Sequence, residues 1–181
     1  MSRHPSRPWF CRILTAILAM TACTVYAEAA EQVYKTPAVN SHFYKVDPNS
    51  IKLERICSVY VPAYSHIYLT ENQTASLGIT LSIRNVDSNR TIYIRRVDYY
   101  DTQGNLTDTL NNGLFALTPM ATASYVISQK DMRGGVGANF VVQWAAEKQI
   151  YPPIIEAIMA GHAGTKSYSF SSRGENIECN P

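Results

Sequence analysis

Histidine, the side chain most often used as a general base, is scarce in this 181-residue sequence, which contains four. The histidines beyond the N-terminal region are His42, His66 and His162. His66 could act as a general base with Asp98 or Glu156 in a hydrolase, and His66 and His162 could share a metal ion with the same acids. These residues are isolated in the sequence, and no G-x-S-x-G accompanies them. The spacing therefore predicts neither a catalytic set nor a metal site.

A glycine-rich loop at residues 132–138 could instead present its backbone to a ligand, because the glycines at 134, 135 and 137 can adopt positive φ at no steric cost. A phosphate-binding P-loop needs Gly-Lys-Ser/Thr before a helix, and a dinucleotide fingerprint needs G-x-G-x-x-G between strand and helix. Here no lysine follows, and the loop leads into Phe140, Val142 and Trp144, which alternate as in a strand. No cofactor is therefore predicted.

Several polar and aromatic groups are expected at strand ends near this loop. We hypothesise that they line one shared concavity, because the loops of a β-sandwich gather at its two ends. The candidate ligand-binding residues are His66, Asp98, Tyr99, Tyr100, Gly135, Gly137 and Asn139. The alternative is that the glycines shape a structural turn and the tyrosines pack in the core.

The first 27 residues have the features of a secretory signal peptide. Arg3, Arg7 and Arg12 precede an apolar run of 11 residues at 13–23, which is too short to span a bilayer permanently. Cleavage is expected after Ala27, with Ala29 as a second position. Residues 20–23, Met-Thr-Ala-Cys, also resemble a bacterial lipobox, which would leave Cys23 lipidated as a membrane anchor. The sequence thus predicts a periplasmic or secreted protein, or a lipoprotein.

Removal of the signal changes the charge balance. It takes away three of the 16 basic residues and none of the 14 acidic ones, which leaves 13 against 14 and a net charge of −1. No basic field remains that would attract nucleic acid.

Two of the four cysteines, Cys57 and Cys179, remain after such cleavage. An even pair in an exported protein is typical of a disulfide, with two free buried thiols as the alternative. No cysteines have C-x-x-C spacing, so no zinc ribbon or thioredoxin-type site is expected.

Short strand signals recur through the rest of the chain. Alternation is strictest at Leu77, Ile79, Leu81 and Ile83, and a phase change at Arg95-Arg96 predicts a bulge. Residues 154–160 could form a helical turn or a buried strand, and their short length favours the strand. We predict an all-β fold: a single β-sandwich of immunoglobulin-like general form with about eight short strands over 54–181, after a linker at 28–53. An open barrel is the second choice.

Five sequence blocks resemble the domain-of-unknown-function family 3124. They are SVYVPAYSHIY at 58–68, IRN at 83–85, VDYYDTQG at 97–104, GGVGANFVVQW at 134–144 and SFSSRG at 169–174. The family pattern often has an acid at the position of Gln143 and a serine at that of Val136, so these two side chains are not expected to perform chemistry. The resemblance implies an exported bacterial or archaeal protein and implies no activity.

Three classes of function agree with these features. The first is an exported, non-catalytic binding or accessory module. The second is an envelope hydrolase that uses His66 with Asp98 or Glu156. The third is a structural component of the envelope that assembles through sheet edges.

Overall fold

The computed structural model describes residues 34–180. The predicted signal peptide, its cleavage positions and the lipobox cysteine lie outside the described residues. Within 34–180 the regular structure is β-strand apart from a short 3₁₀ helix at Pro48–Ser50, and no helix there is long and apolar enough to span a membrane.

Twelve strands follow one another along the described part of the chain. In order, they are β1 Tyr34–Lys35, β2 Phe43–Lys45, β3 Arg55–Pro62, β4 His66–Thr70, β5 Gln73–Arg84, β6 Ile92–Tyr100, β7 Leu106–Leu117, β8 Thr122–Ile127, β9 Asn139–Ala146, β10 Ile154–Ala163, β11 Lys166–Arg173 and β12 Glu175–Cys179.

The strands form two antiparallel sheets that pack face to face. The first sheet has the order β1-β8-β5-β10-β11, with β4 added to the free part of β5. The second has the order β12-β3-β9-β6-β7-β2. The predicted all-β sandwich is confirmed, and it contains more strands than the eight expected.

The core lies between the sheets and is formed by the inward residues of the alternating strands. From the first sheet it takes four alternating residues of β5, which are fully buried as predicted: Leu77, Ile79, Leu81 and Ile83. From the second sheet it takes the inner face of β9, where Phe140, Val142 and Trp144 are also fully buried. Burial of each such large side chain stabilises the fold by roughly 1.5–3 kcal/mol.

Two local predictions from the sequence are also confirmed. The pairing of β6 shifts register between Ile94 and Arg96 on both of its neighbours, which places a bulge at Arg95-Arg96. Residues 154–160 are part of a strand, β10, which pairs with β5 on one side and β11 on the other.

The segment at 34–53, interpreted from the sequence as linker with some local order, contacts both sheets. Strand β1 pairs with β8, and β2 pairs with β7, while Phe43 is buried against Phe115 with ring centroids 5.0 Å apart. Farther along, Ile51 and Leu53 pack on a small cluster on the outer face of the second sheet. These contacts were missed because short strands carry too few residues to show a period.

The last segment of the chain passes from the first sheet to the second, where pairing and a disulfide join it to β3. The chain leaves β11 at the edge of the first sheet, crosses at Gly174, and enters β12 at the edge of the second. There Cys179 lies opposite Cys57 in register, with Cα atoms 4.1 Å apart, and the two form the predicted disulfide.

We expect loss of this disulfide to lower the free energy of unfolding by about 2–4 kcal/mol, because the bond closes a long loop in the unfolded chain. Cys57 and Cys179 are 122 residues apart in the sequence. Urea unfolding of Cys179→Ser, with and without reductant, measures the effect.

The matched control is the wild type in reductant, which should lose about as much stability as the variant. The expectation fails if wild-type protein purified without reductant contains two free thiols by mass spectrometry, or if reduction leaves the urea midpoint unchanged.

Candidate functional site

The glycine-rich loop is hydrogen bonded to the β3–β4 connection through one buried serine, Ser65. The Ser65 hydroxyl accepts a hydrogen bond from the Gly135 N–H at 2.8 Å, and the Ser65 N–H donates to the Gly135 carbonyl at 3.0 Å. The same hydroxyl lies 3.4 Å from the Met132 carbonyl and 3.4 Å from Nδ1 of His66. Gly135 has φ 76°, a conformation that favours glycine.

The turn after β6 holds the other side of the loop. Thr102 Oγ1 donates to the Gly134 carbonyl at 3.0 Å and accepts from the Gly137 N–H at 2.9 Å, while the Thr102 N–H donates to Gly134 at 2.9 Å. The N–H groups of Gly135 and Gly137, which a ligand would need as donors, are thus both hydrogen bonded within the protein. This arrangement agrees with the alternative in which the glycines shape a structural turn.

Tyr99 lies directly beneath Gly134. A methyl group at Gly134 would overlap the Tyr99 hydroxyl and lie 2.7 Å from Cζ of its ring. The ring also packs on Phe140, with centroids 4.9 Å apart. Tyr99 is fully buried, and its hydroxyl has no hydrogen-bond partner among residues 34–180. Burial raises the pKa of Tyr99 above its ordinary value, and the nearby Asp131 charge acts in the same direction.

The start of the glycine loop is held by an ion-pair network around Arg133. Arg133 donates through Nε to Asp131 at 2.9 Å, and its NH2 group lies 2.7 Å from Asp131 and 2.6 Å from Asp108 at the start of β7. Hydrogen bonding to Asp131 raises the pKa of Arg133. Because Asp131 is buried, this pairing compensates for removal of its carboxylate from water.

The remaining candidate residues lie at the same end of the sandwich, with different surroundings. His66 is adjacent to Ser65 and packs edge-on against Tyr68, with ring centroids 5.8 Å apart. Tyr100 is paired with Asn139 across the second sheet. The Asp98 carboxylate is held by Arg96 Nε at 2.5 Å and by the Thr109 hydroxyl at 2.7 Å.

The acids that the hydrolase interpretation would use therefore already have partners. Asp98 is engaged by Arg96 and Thr109, and Glu156 forms an ion pair with Arg84 at 3.3 Å. No three His, Cys, Asp or Glu side chains within 34–180 gather into a group that could hold a metal ion.

The opposite end of the sandwich contains a concavity of about 650 Å³. Strand β9 begins at the glycine loop and ends here, so its eight residues separate the two ends by roughly 25 Å. We call this concavity the arginine pocket. It is lined by Arg55, residues 86–90 and residues 149–152.

Two guanidinium groups are held at fixed positions in the arginine pocket. Arg55, at the start of β3, lies over the Trp144 ring at 5.5 Å from its centroid and donates to the Ile150 carbonyl at 3.3 Å. Arg90 donates to the Gln149 carbonyl. The pocket thus combines the first residue of β3 with the β5–β6 and β9–β10 loops.

Sequence reasoning did not find the arginine pocket. Arg55, Arg90 and Tyr151 are far apart in the sequence and follow no motif. The one available signal was a tyrosine followed by two prolines at 151–153, in a loop between two strongly patterned strands.

Fold and geometry define a disulfide-linked, two-sheet β-sandwich with a braced glycine loop at one end and an arginine-lined concavity at the other. A family model described as protein of unknown function (DUF3124) matches residues 56–177, and the chain belongs to this family. No curated protein and no solved structure matches the chain significantly.

Gly134→Ala should lower the free energy of unfolding by about 1–3 kcal/mol, because the added methyl group overlaps the Tyr99 side chain in a packed site. The double variant Gly134→Ala/Tyr99→Phe should lose less than Gly134→Ala alone, since it removes the oxygen nearest to the methyl group. Urea unfolding of the single and double variants measures this coupling.

Tyr125→Phe provides the matched control. Tyr125 is another buried tyrosine whose hydroxyl has no partner in the described part of the chain, and it lies on β8 in the other sheet. Its effect should simply add to that of Gly134→Ala. Equal recovery by both tyrosine variants would contradict the specific contact between Tyr99 and Gly134.

Proposed function

We propose that the chain is an exported, non-catalytic binding module that recognises a ligand at the arginine pocket. The observation that carries this proposal is the convergence of three separate segments, from β3, the β5–β6 loop and the β9–β10 loop, on one concavity of about 650 Å³. This volume is within the range of small-molecule sites in proteins. Loops at the end of a sandwich are common carriers of recognition.

The state of the glycine-loop end supports this choice. The N–H groups of Gly135 and Gly137 are hydrogen bonded to Ser65 and Thr102, and Asp98 is bound to Arg96 and Thr109. A ligand there would have to displace internal hydrogen bonds, each worth roughly 0.5–1.5 kcal/mol.

Another concavity, of about 630 Å³, lies between residues 35–43 and 119–126. Its wall is formed by the first described residues, and the chain that precedes them is not described. The arginine pocket is formed by segments that are all described, so it is the better candidate for recognition.

Export is part of the proposal. It is supported by the signal-like N-terminal sequence and by the Cys57–Cys179 disulfide, since such bonds persist in oxidising compartments such as the periplasm. Anchoring through a lipidated Cys23 is compatible with the same function.

A thermal-shift screen of the mature protein with cell-envelope building blocks, namely sugars, amino acids, short peptides and sugar phosphates, tests the proposal. At least one compound should raise Tm by mass action, and Tyr151→Ala should abolish the shift. Tyr68→Ala is the matched control. Tyr151 and Tyr68 are both strongly exposed, at 75% and 63%, but Tyr68 lies on β4, outside the arginine pocket.

Three results would contradict the proposal. The first is a screen without any stabilising compound. The second is a shift that is lost in Tyr68→Ala or His66→Ala and kept in Tyr151→Ala. The third is chemical conversion of the bound compound, detected by mass spectrometry, which would favour the hydrolase.

A specific observation also favours a second candidate function, assembly through a sheet edge. Strand β11 has eight residues and no proline, and among the described residues it pairs only with β10. The other strands at the edges of these orders, β1, β2 and β12, are shorter, with two, three and five residues. A long edge strand can add the strand of another chain.

If a second copy of the chain pairs with β11, the wild type should self-associate as concentration rises. Ser169→Lys/Ser171→Lys should remain monomeric, because charges on an edge oppose strand addition. Sedimentation velocity measures this, with Asn176→Lys on β12 as the control. A wild type that stays monomeric at all concentrations contradicts this candidate.

A further inference from the structure

We propose that the arginine pocket binds a small molecule that carries an oxyanion, either a carboxylate or a phosphate, held by Arg55 and Arg90. This inference rests on the proposed binding function and specifies the chemistry of the ligand. It follows from how charge is distributed among the arginines, how the two guanidinium groups are held, and what surrounds them.

The described chain has five other arginines. Three of them are paired with carboxylates of the protein, while Arg95 and Arg173, which lie outside the pocket, are not. Arg84 pairs with Glu156 at 3.3 Å, Arg96 with Asp98 at 2.5 Å, and Arg133 with Asp131 at 2.7 Å. In contrast, no carboxylate within residues 34–180 lies close enough to Arg55 or Arg90 to form an ion pair, although Arg55 is half-buried. Two guanidinium groups that share one concavity without an anionic partner provide positive charge for a ligand.

Both guanidinium groups are oriented before any ligand arrives. Arg55 is stacked over Trp144 and donates to Ile150, and Arg90 donates to Gln149. Each contact uses one nitrogen of the planar fork, so the other nitrogen donors remain available. This fork matches the geometry of carboxylate and phosphate groups, and orientation in advance reduces the entropic cost of binding.

The one acid in the pocket lining is turned toward the protein backbone. Oδ1 of Asp87 accepts hydrogen bonds from the N–H groups of Asn89 and Arg90, both at 2.9 Å. Asp87 is buried and shapes the β5–β6 loop. With two arginines and one aspartate, the lining keeps a net charge of +1.

Tyr151 provides a surface for the uncharged part of the ligand. Its side chain is 75% exposed beside Pro152 at the rim of the pocket. An exposed aromatic ring next to fixed cationic groups suits a molecule with a charged end and a ring-shaped body, such as a sugar, that can stack on the tyrosine.

Isothermal titration calorimetry with four probes tests the inference. Glucuronate and glucose 6-phosphate carry a sugar body with a carboxylate or a phosphate, glucose has the body alone, and inorganic phosphate has the anion alone. At least one anionic sugar should bind saturably and more tightly than phosphate, and glucose should not bind. The anionic sugar that binds more tightly shows whether the preferred oxyanion is a carboxylate or a phosphate.

Arg90→Gln should weaken binding of that sugar by roughly tenfold or more. Tyr151→Ala should weaken it without a change in Tm, because Tyr151 makes no hydrogen bond or ring contact in the described chain that could affect folding. Arg173→Gln is the matched control: Arg173 is an exposed arginine on β11, outside the pocket, and likewise without a carboxylate partner.

Each contrary outcome overturns the inference. These are the absence of saturable binding by either anionic sugar, unchanged binding in a folded Arg90→Gln variant, and equal weakening by Arg173→Gln. Equal binding of glucose would also overturn it, yet would leave the proposed binding function intact. If instead a neutral compound from the thermal-shift screen binds and depends on Tyr151, only the oxyanion assignment is lost.

Discussion

Burial of the inner face of β9 is the constraint on which the rest of the structure depends. Phe140, Val142 and Trp144 fill the space between the sheets, and β9 is hydrogen bonded on both sides, to β3 and β6. Because side chains alternate along a strand, a slip of one residue would turn these large groups to solvent. The register of β9 therefore fixes the neighbouring strands and the positions of both ends of the sandwich.

The glycine loop is best understood from this constraint. The backbone of the loop must pass over the Tyr99 ring before it enters β9, and this ring packs on Phe140. A close approach to Tyr99 needs glycine at 134, and the positive φ at 135 favours glycine there. Ser65 and Thr102 then satisfy the backbone groups that this path leaves without strand partners. Gly134 and Gly135 thus each have a structural role in the path of the loop.

Much of the fold could be predicted from local patterns. Alternation identified β5 and β9, and the phase change identified the bulge at Arg95-Arg96. The even pair of cysteines after a predicted signal peptide identified the disulfide. Strand β12 was missed, because its residues are all exposed and so carry no alternation of apolar and polar residues.

The candidate sites were harder to predict, because they depend on loops that meet only after folding. Sequence reasoning grouped the candidates around the glycine loop, and it had no means to know that Ser65 and Thr102 would take up its N–H groups. The arginine pocket joins Arg55, Arg90 and Tyr151 through long-range strand pairing. Such proximity is set by sheet topology, which residue spacing does not report.

The covalent ring closed by Cys57 and Cys179 has a consequence for how the domain would respond to a protease. The β10–β11 turn at Gly164 is exposed and lies inside this ring, so a cut there leaves two fragments that remain joined by the disulfide. The shorter fragment would also keep the pairing of β11 with β10 and of β12 with β3. In an oxidising compartment, therefore, a single backbone cut at this turn need not release any part of the sandwich.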